Sequence, residues 1–305
     1  MTTIGRRGAL RLGAAAGLGL LGSAAAGATL VQNGALPGRL PMWEGVDGAV
    51  PDLSPRSARG PVETFAFRSR FRTDVDTGVL VMTPPGTDLA APGGLPVCLV
   101  LHGRGGRAHD SFLMRVPGFL ADAVADGTPP FAAVAVDGGS SYWHARADGS
   151  DTQRVLTDDV LPRLADRGYA CGPGDRVSVV GWSMGGYGAL LLGQTLGAGR
   201  VASVGAMSPA IWHRFADVRP GAFDDAADFA AHDVFAGRPR LAGIDVRVDC
   251  SLGEVFLTAA HDLVTGMDPR PAGGFQPGIH NRRYWRRRMP AHLALAGRAL
   301  ARDRG

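Results

Sequence analysis

The fold is decided by residues 177–192, which read VSVVGWSMGGYGALLL. Residues 177–180 form an apolar run typical of a buried strand, and residues 186–192 mix glycines with leucines, as a helix packed closely on a sheet does. Between them lies a G-x-S-x-G sequence centred on Ser183. This strand–turn–helix setting predicts a nucleophile elbow, a sharp turn that lifts the serine hydroxyl above the sheet edge. The alternative, in a chain with 45 glycines, is an ordinary glycine-rich turn with a buried serine.

Apolar runs on both sides of this stretch indicate a parallel sheet. The runs are short, are separated by helix-length stretches, and lie at residues 97–101, 131–136, 201–206 and 244–248. Strands that are apolar on both faces and alternate with helices form parallel sheets covered by helices on each side. The sequence therefore predicts an α/β fold with a mostly parallel central sheet and helices on both faces.

An antiparallel hairpin is predicted before this sheet. Phe65, Phe67 and Phe71 alternate with polar residues, and a second apolar run follows at residues 79–81, as in a hairpin at a sheet edge. Three further segments are predicted: an amphipathic helix at residues 155–164, a C-terminal helix at about 284–301, and an acidic, Phe/Ala-rich insertion at 208–243. We expect the insertion to form a small cap over the carboxyl edge of the sheet.

A serine nucleophile needs a base and a carboxylate that orients that base. In a sheet of this kind the order along the chain is Ser, then Asp or Glu, then His. His280 follows a Pro-Gly-Ile turn and precedes the C-terminal helix, where the base is expected. Glu254 lies on the loop after the strand that ends at residue 248, and it is the favoured acid. Asp249 is the rival, although a side chain at the strand end would point along or into the sheet.

Backbone N–H groups are needed to stabilise the negative charge that develops on a carbonyl oxygen during attack. Met184, the residue after the nucleophile, is predicted to supply one of them. The loop after the first parallel strand, residues 102–106 (HGRGG), is predicted to supply the other, from Arg104 or, as the second choice, Gly103. His102 is interpreted as a structural histidine of this loop, with a catalytic role as the weaker alternative.

These motifs resemble the esterase D / putative esterase family of α/β-hydrolases, which includes S-formylglutathione hydrolases and the antigen 85 mycolyltransferases. The resemblance rests on residues 102–106, 137–139 (DGG), 142–144 (YWH), 181–188 (GWSMGGYG) and His280, and it spans about residues 62–300. It implies an α/β-hydrolase fold with Ser183 as nucleophile, His280 as base, and Met184 and Arg104 as oxyanion donors. Two features depart from the family pattern: glutamate stands at position 254, where the family usually carries aspartate, and residues 271–277 have little strand character.

The resemblance implies a serine hydrolase that cleaves carboxylic esters through an acyl-enzyme, with a small-molecule or lipid ester as substrate. Tyr142 and Trp143, which follow the second parallel strand, and Trp212 are candidates for the substrate pocket, with ordinary packing as the alternative. Acyl transfer to a cell-envelope sugar needs the same residues and is the second hypothesis. A non-catalytic binding protein with this fold is the third, because fold alone does not establish function.

Composition excludes several other classes of protein. All 32 basic residues are arginine, which excludes lysine Schiff-base chemistry and a phosphate-loop lysine. No metal-ligand cluster or dinucleotide fingerprint is visible, so no cofactor is implied, and Cys98, Cys171 and Cys250 lack zinc-site spacing and are expected to be buried thiols. Arginines crowd residues 282–288, where a solvated helix face is favoured over contact with an anionic substrate or lipid.

The first thirty residues are interpreted as an export signal or an N-terminal anchor. Arg6 and Arg7 precede an uncharged run at residues 12–30, a pattern typical of twin-arginine export. The catalytic body would then lie outside the cytoplasm, secreted or associated with the cell envelope. Without this segment the net charge of +4 loses three arginines and becomes +1, which argues against nucleic-acid binding. Residues 31–60 are interpreted as a linker, and residues 61–305 as the catalytic domain.

Overall fold

The computed structural model describes residues 41–302, so the predicted export signal at residues 1–30 and the first part of the predicted linker lie outside the described residues. Eight strands form one sheet: β1 Val62–Ser69, β2 Arg72–Met82, β3 Val97–Leu101, β4 Ala132–Val136, β5 Val177–Trp182, β6 Val201–Met207, β7 Asp245–Ser251 and β8 Ala272–Gln276. Their order across the sheet is β1-β2-β4-β3-β5-β6-β7-β8. Strands β1 and β2 pair antiparallel, β2 pairs antiparallel with β4, and every pairing from β4 to β8 is parallel. The predicted hairpin and parallel sheet are confirmed.

Helices cover both faces of the sheet. The α-helices are α1 Pro41–Ala49, α2 Asp110–Leu113, α3 Val116–Ala125, α4 Thr152–Arg154, α5 Leu161–Ala165, α6 Met184–Leu196, α7 Ala226–Ala231, α8 Leu257–Thr265 and α9 Arg282–Arg302. Residues Val155–Val160 form a π-helical segment that joins α4 to α5. Within residues 41–302, no helix combines the length and the apolar character needed to cross a membrane.

Two apolar clusters make up the core, one on each face of the sheet. Alternate residues of β3 divide between them: Leu99 belongs to the cluster beneath α6, while Cys98 and Val100 belong to the cluster beneath α3 and α9. Successive side chains of a strand point to opposite faces, so a strand that is apolar at every position is buried on both sides. This arrangement explains the continuous apolar runs in the sequence.

Strand β8 forms where the sequence has little strand character. Its residues pair in parallel with β7, from Arg247 opposite Ala272 to Ser251 opposite Gln276. Gly273 has φ +103°, and a Cβ at this position would lie 2.1 Å from the carbonyl oxygen of Val248. Pairing with β7 therefore requires glycine here, and the tertiary contact outweighs the poor local propensity.

The described part of the predicted linker is attached to the domain. Asp47, near the end of α1, is only 3% exposed. Its Oδ1 lies 2.5 Å from Arg287 Nη2, and its Oδ2 accepts a hydrogen bond from Asn281 Nδ2 at 2.8 Å. Asp52 forms an ion pair with Arg286 at 2.6 Å. The composition of this stretch is that of a linker, but these acidic side chains bind arginines of α9. Part of the arginine cluster is thus engaged by the chain itself and does not form a freely solvated face.

Candidate active site

Ser183 lies on the turn between β5 and α6, at the carboxyl edge of the sheet. Its φ is +56° and its ψ is −121°, a conformation that costs free energy in a residue other than glycine and persists only where the surroundings enforce it. A Cβ at Gly181 would lie 2.2 Å from the carbonyl oxygen of Gly185, and one at Gly185 would lie 2.0 Å from that of Leu101. The two glycines of the G-x-S-x-G sequence therefore allow the backbone to close tightly around the serine.

Substituting alanine at position 181 should destabilise the protein by about 3 kcal/mol or more, because the added methyl group would meet backbone atoms that cannot move aside. Chemical denaturation should measure this loss. Gly174→Ala is the matched control, since a Cβ at Gly174 would have no heavy atom within 4 Å, and its unfolding free energy should stay close to that of the wild type. Equal stability of the two variants would contradict the tight turn.

Three side chains from separate loops meet at this turn. His280 Nε2 lies 2.9 Å from Ser183 Oγ, and His280 Nδ1 is hydrogen-bonded to Glu254 Oε2 on its other side. Phe256 and Trp285 hold the imidazole between them, with ring centroids 5.3 and 4.9 Å from that of His280. The residues predicted as nucleophile, base and acid are therefore brought into one continuous hydrogen-bonded chain.

Glu254 is buried and ionised. Its Oε1 accepts hydrogen bonds from the Ser251 N–H at 2.6 Å and the Cys250 thiol at 2.9 Å, which leaves Oε2 for His280. Burial disfavours the carboxylate, but the adjacent His280 and the hydrogen bonds outweigh it, so the pKa of Glu254 lies below its ordinary value. Burial, together with the neighbouring carboxylate, raises the pKa of Cys250, so this thiol stays protonated and donates.

Asp249, the rival acid, points away from His280. It is fully buried in β7, where Oδ2 lies 2.6 Å from Arg247 Nε and 2.9 Å from Nε2 of His292 on α9. Burial opposes its ionisation, but His292 and Arg247 outweigh that effect and lower the pKa of Asp249. Asp249 therefore forms an ion pair with Arg247 of the same strand. It also accepts a hydrogen bond from His292 of α9, whose pKa burial lowers.

The contacts of Asp249 should make stability depend on pH. A carboxyl whose folded-state pKa lies below its unfolded value, about 3.9, stabilises the protein above that value and loses this contribution as the pH falls through the folded-state pKa. The wild type should therefore unfold with a larger free energy than Asp249→Asn between pH 6 and 8, and this difference should shrink below about pH 4. Urea denaturation of both proteins across this range measures it. A difference that grows on acidification would contradict the assignment.

The loop at residues 102–106 lies against Ser183. A Cβ at Gly103 would lie 3.5 Å from Ser183 Cβ, and Arg104 follows on the same wall. The loop is held by hydrogen bonds from Gly105 N–H to the Gly139 carbonyl and from Gly106 N–H to the Gly103 carbonyl, each 3.0 Å. Met184 begins α6, and the first N–H groups of a helix have no intrahelical acceptor. Arg104 thus lines the same pocket as Ser183, and Met184 directly follows Ser183; their role as oxyanion donors stays a prediction.

His102 holds the loop from beneath. It is 1% exposed, its Nδ1 lies 2.7 Å from the Gly103 carbonyl oxygen, and its Nε2 accepts from the Gly138 N–H at 2.8 Å. These partners require a neutral imidazole with the proton on Nδ1. Burial lowers the pKa of His102, which favours that neutral form. The contacts support the structural interpretation of this histidine.

The three aromatic residues predicted for the substrate pocket divide between core and site. Trp143 is 1% exposed, and Cβ atoms at Gly138 and Gly188 would lie 2.6 and 2.5 Å from its ring, so it fills the space that these glycines leave. Tyr142 is 2% exposed and packs on Trp212. Tyr142 and Trp143 are therefore packing residues, which corrects the pocket prediction. Sequence alone could not separate a pocket aromatic from a core aromatic in this loop.

Trp212 is only partly buried, and its ring lies 5.4 Å from that of Phe256, which in turn contacts His280. It remains a candidate for contact with substrate. A pocket of about 330 Å³ opens at Ser183. It is lined by Gly103, Arg104, Asp110, Leu113, Met114, Trp182, Ser183, His280, Arg282 and Trp285. Its volume is at the lower end of the range for small-molecule sites.

Several supporting residues were not predicted from the sequence. Cys250 and Ser251 fix Glu254, and Phe256 and Trp285 fix His280. These contacts depend on how the β7 and β8 loops fold against each other. The sequence carries no local signal for them beyond their closeness to Glu254 and His280.

Comparisons with known proteins identify the family and the fold of the chain. The family model described as putative esterase matches residues 72–296, well over half of the chain. A ferulic acid esterase structure is 19% identical, with a TM-score of 0.65 over 80% of this chain and 100% of its own. An S-formylglutathione hydrolase from Agrobacterium tumefaciens is 14% identical, with a TM-score of 0.62 over 82% and 100% of the two chains.

MPT51 from Mycobacterium tuberculosis is 17% identical, with a TM-score of 0.60 over 79% of this chain and 99% of its own. No curated protein matches the chain in sequence. The structural similarities, at these identities, establish the α/β-hydrolase fold, and the family match establishes the class of enzyme. The chain therefore belongs to the putative esterase family and is a carboxylic ester hydrolase.

Proposed function

We propose that the chain is a serine esterase that cleaves small-molecule carboxylic esters through Ser183, His280, Glu254 and an acyl-enzyme intermediate. The observation that carries the proposal is the 2.9 Å contact between Ser183 Oγ and His280 Nε2, continued by the hydrogen bond from His280 Nδ1 to Glu254. A serine hydroxyl is a weak nucleophile until an adjacent base removes its proton. The strained turn presents that hydroxyl to a pocket of about 330 Å³.

In the first half of the reaction Ser183 Oγ attacks the ester carbonyl carbon while His280 Nε2 takes the hydroxyl proton. Glu254 accepts from His280 Nδ1–H, which fixes the tautomer and stabilises the imidazolium that forms. The N–H groups of Met184 and Arg104 stabilise the negative charge on the carbonyl oxygen, a contribution of about 3 kcal/mol for each donor. His280 then protonates the leaving alcohol, and the acyl group remains on Ser183.

In the second half water replaces the alcohol. His280 takes a proton from the water, the oxygen attacks the acyl carbon, and the bond to Ser183 Oγ breaks as His280 returns the proton to the serine. The products are one alcohol and one carboxylic acid, and the free enzyme is restored.

A fluorophosphonate probe tests this proposal. The probe should label folded wild-type protein on the peptide that contains Ser183, and it should not label Ser183→Ala or heat-denatured wild type. In parallel, the wild type should hydrolyse a p-nitrophenyl ester and should release mainly free acid when a sugar acceptor is present. Labelling at another residue would refute the role of Ser183, and a transfer product in excess of free acid would replace hydrolysis by acyl transfer.

We also propose that residues 1–30 direct export, on the pattern of Arg6 and Arg7 followed by an uncharged run. Fusing this segment to a reporter enzyme that is active only outside the cytoplasm should give reporter activity. Replacing both arginines by lysine should abolish that activity if the twin-arginine route is used. Undiminished activity of the Arg6→Lys/Arg7→Lys fusion would exclude that route.

A further inference from the structure

A second group of titratable side chains lies beside the active-site helix but outside the proposed mechanism. We call it the His–Asp–His cluster; it consists of His144, Asp228 and His232, and each residue places one ligand atom within 4.8 Å of the others. His144 comes from the loop after β4, Asp228 from α7, and His232 from the end of α7. Asp228 Oδ1 lies 2.9 Å from His232 Nδ1 and 3.6 Å from His144 Nδ1.

The carboxylate of Asp228 is fixed in this orientation. Its Oδ2 accepts a hydrogen bond from the Asp224 N–H at 2.8 Å, which directs Oδ1 towards the two imidazoles. Asp228 and His232 are four residues apart on one helical turn, so both face the same side. His232 Nδ1 also lies 2.9 Å from the backbone carbonyl oxygen of Asp228, so in the metal-free protein this nitrogen can carry the proton, which a bound cation would replace.

His144 has more acceptors around it than it has protons to donate. The residue is 1% exposed, with Nδ1 2.8 Å from the Ala145 carbonyl oxygen and Nε2 3.2 Å from the Ala222 carbonyl oxygen. A neutral imidazole carries one N–H, so one of its nitrogens must direct a lone pair at a carbonyl oxygen. A bound cation would remove this conflict.

We propose that the His–Asp–His cluster is a structural site for one Zn²⁺ ion, bound by Nδ1 of His144, Nδ1 of His232 and Oδ1 of Asp228. Zinc prefers imidazole nitrogen and carboxylate oxygen at about 2.0–2.2 Å in tetrahedral geometry, which places neighbouring ligand atoms about 3.3 Å apart. The observed separations of 2.9 and 3.6 Å lie on either side of this value.

The surroundings of the cluster suit a metal-binding histidine. With Nδ1 of His144 on the metal, its Nε2–H donates to the Ala222 carbonyl, and such a backbone acceptor commonly orients a zinc ligand. The Ala145 carbonyl oxygen or a water completes the fourth position. The side chain of His232 is 25% exposed, so the site has access to solvent.

The position of the site indicates what zinc would do. It joins the loop after β4 to the insertion at residues 208–243, and Tyr187 of α6 donates from its hydroxyl to the His232 carbonyl at 3.0 Å. Three segments around the active-site helix would therefore be tied together. The sequence analysis found no metal-ligand cluster: aspartate and histidine stand four residues apart at 228 and 232, but His144 is 84 residues away from Asp228 and only the fold brings it close.

Zinc binding by the full chain tests the proposal independently of ester hydrolysis. After removal of metals with EDTA, titration calorimetry should find one Zn²⁺ per chain. Zinc at a hundred times its Kd should raise the Tm by about 5–10 °C. Co²⁺ in place of zinc should give the intense visible absorption of a four-coordinate site. The same stoichiometry and Tm shift should be found in Ser183→Ala, because the site does not depend on the nucleophile.

The His232→Ala variant should lose the zinc-dependent Tm shift. If His232→Ala does not fold, Asp228→Asn takes its place and should lose the same shift. His213→Ala is the matched control. His213 lies 3.0 Å from Asp262 Oδ2 and His261 lies 3.6 Å from Oδ1, so the same residue types are present but the two imidazoles contact different carboxylate oxygens. The His213→Ala variant should keep the full zinc-dependent Tm shift. An identical Tm in zinc and EDTA, or equal losses in His232→Ala and His213→Ala, would overturn the proposal.

Discussion

Replacing Ser183 by alanine should lower kcat/KM for a p-nitrophenyl ester by about 10⁴- to 10⁶-fold, because it removes the only atom that the proposed mechanism uses to form the acyl-enzyme. His280→Ala should cost a similar factor, since the hydroxyl at 2.9 Å would then have no base. Steady-state kinetics measures both losses. Thermal unfolding should be nearly unchanged in Ser183→Ala, because the substitution removes one partly exposed oxygen.

The double variant provides the decisive comparison. Residues that act as one unit show strongly non-additive losses, so Ser183→Ala/His280→Ala should be no slower than the slower of the two single variants. The residual rate should reflect the pocket and the oxyanion donors alone. Losses that multiply in the double variant would show that the two side chains act independently, and the proposed hydrogen-bonded chain would be wrong.

Replacing each of the two candidate acids by its amide should show which carboxylate serves catalysis and which serves stability. Glu254→Gln should lower kcat by about 10³- to 10⁴-fold, because an amide no longer fixes the tautomer of His280 or stabilises its imidazolium. Asp249→Asn should leave kcat within a few-fold of the wild type. It should instead lower the free energy of unfolding by about 3 kcal/mol, because Arg247 and His292 lose their buried partner. Kinetics and urea denaturation of both variants give the four values required.

The pair also controls for general damage to the β7 region, because the two carboxylates are five residues apart on the same stretch of chain. If Asp249→Asn lost activity as severely as Glu254→Gln while remaining folded, the assignment of Glu254 as the orienting acid would have to be abandoned. A Glu254→Asp variant should recover part of the rate, since it restores a carboxylate that is one methylene too short to hold the same hydrogen bond.

The choice of Glu254 over Asp249 shows which part of the site could be predicted from the sequence and which part could not. The order Ser, acid, His along the chain predicts the acid near the carboxyl end of the strand at residues 244–248, where Glu254 was favoured and Asp249 was the rival. Choosing between them requires knowing where β7 ends and which face Asp249 points to, and successive residues of a strand face opposite sides. The strand continues to Ser251, so Asp249 is directed at α9 while Glu254 follows the strand and reaches His280.

The aromatic loop and β8 show the opposite outcome. Trp143 had the position of a pocket residue, but its ring packs against Gly188 of α6, which lies far along the chain, as well as against Gly138 of its own loop. Likewise β8 forms because Gly273 can approach Val248 closely, although its own residues have little strand preference. In both cases the deciding contact lies between segments distant in sequence, where local propensity carries no information.

The amino-acid sequence by itself determined the parallel sheet, the elbow at Ser183 and the choice of His280, because these features depend on local periodicity, turn chemistry and chain order. Only the tertiary structure decided which carboxylate meets His280, that Tyr142 and Trp143 pack in the core, and that His144 joins Asp228 and His232. Local patterns follow from neighbours along the chain, whereas these contacts follow from the way strands and loops far apart in the chain converge at one edge of the sheet.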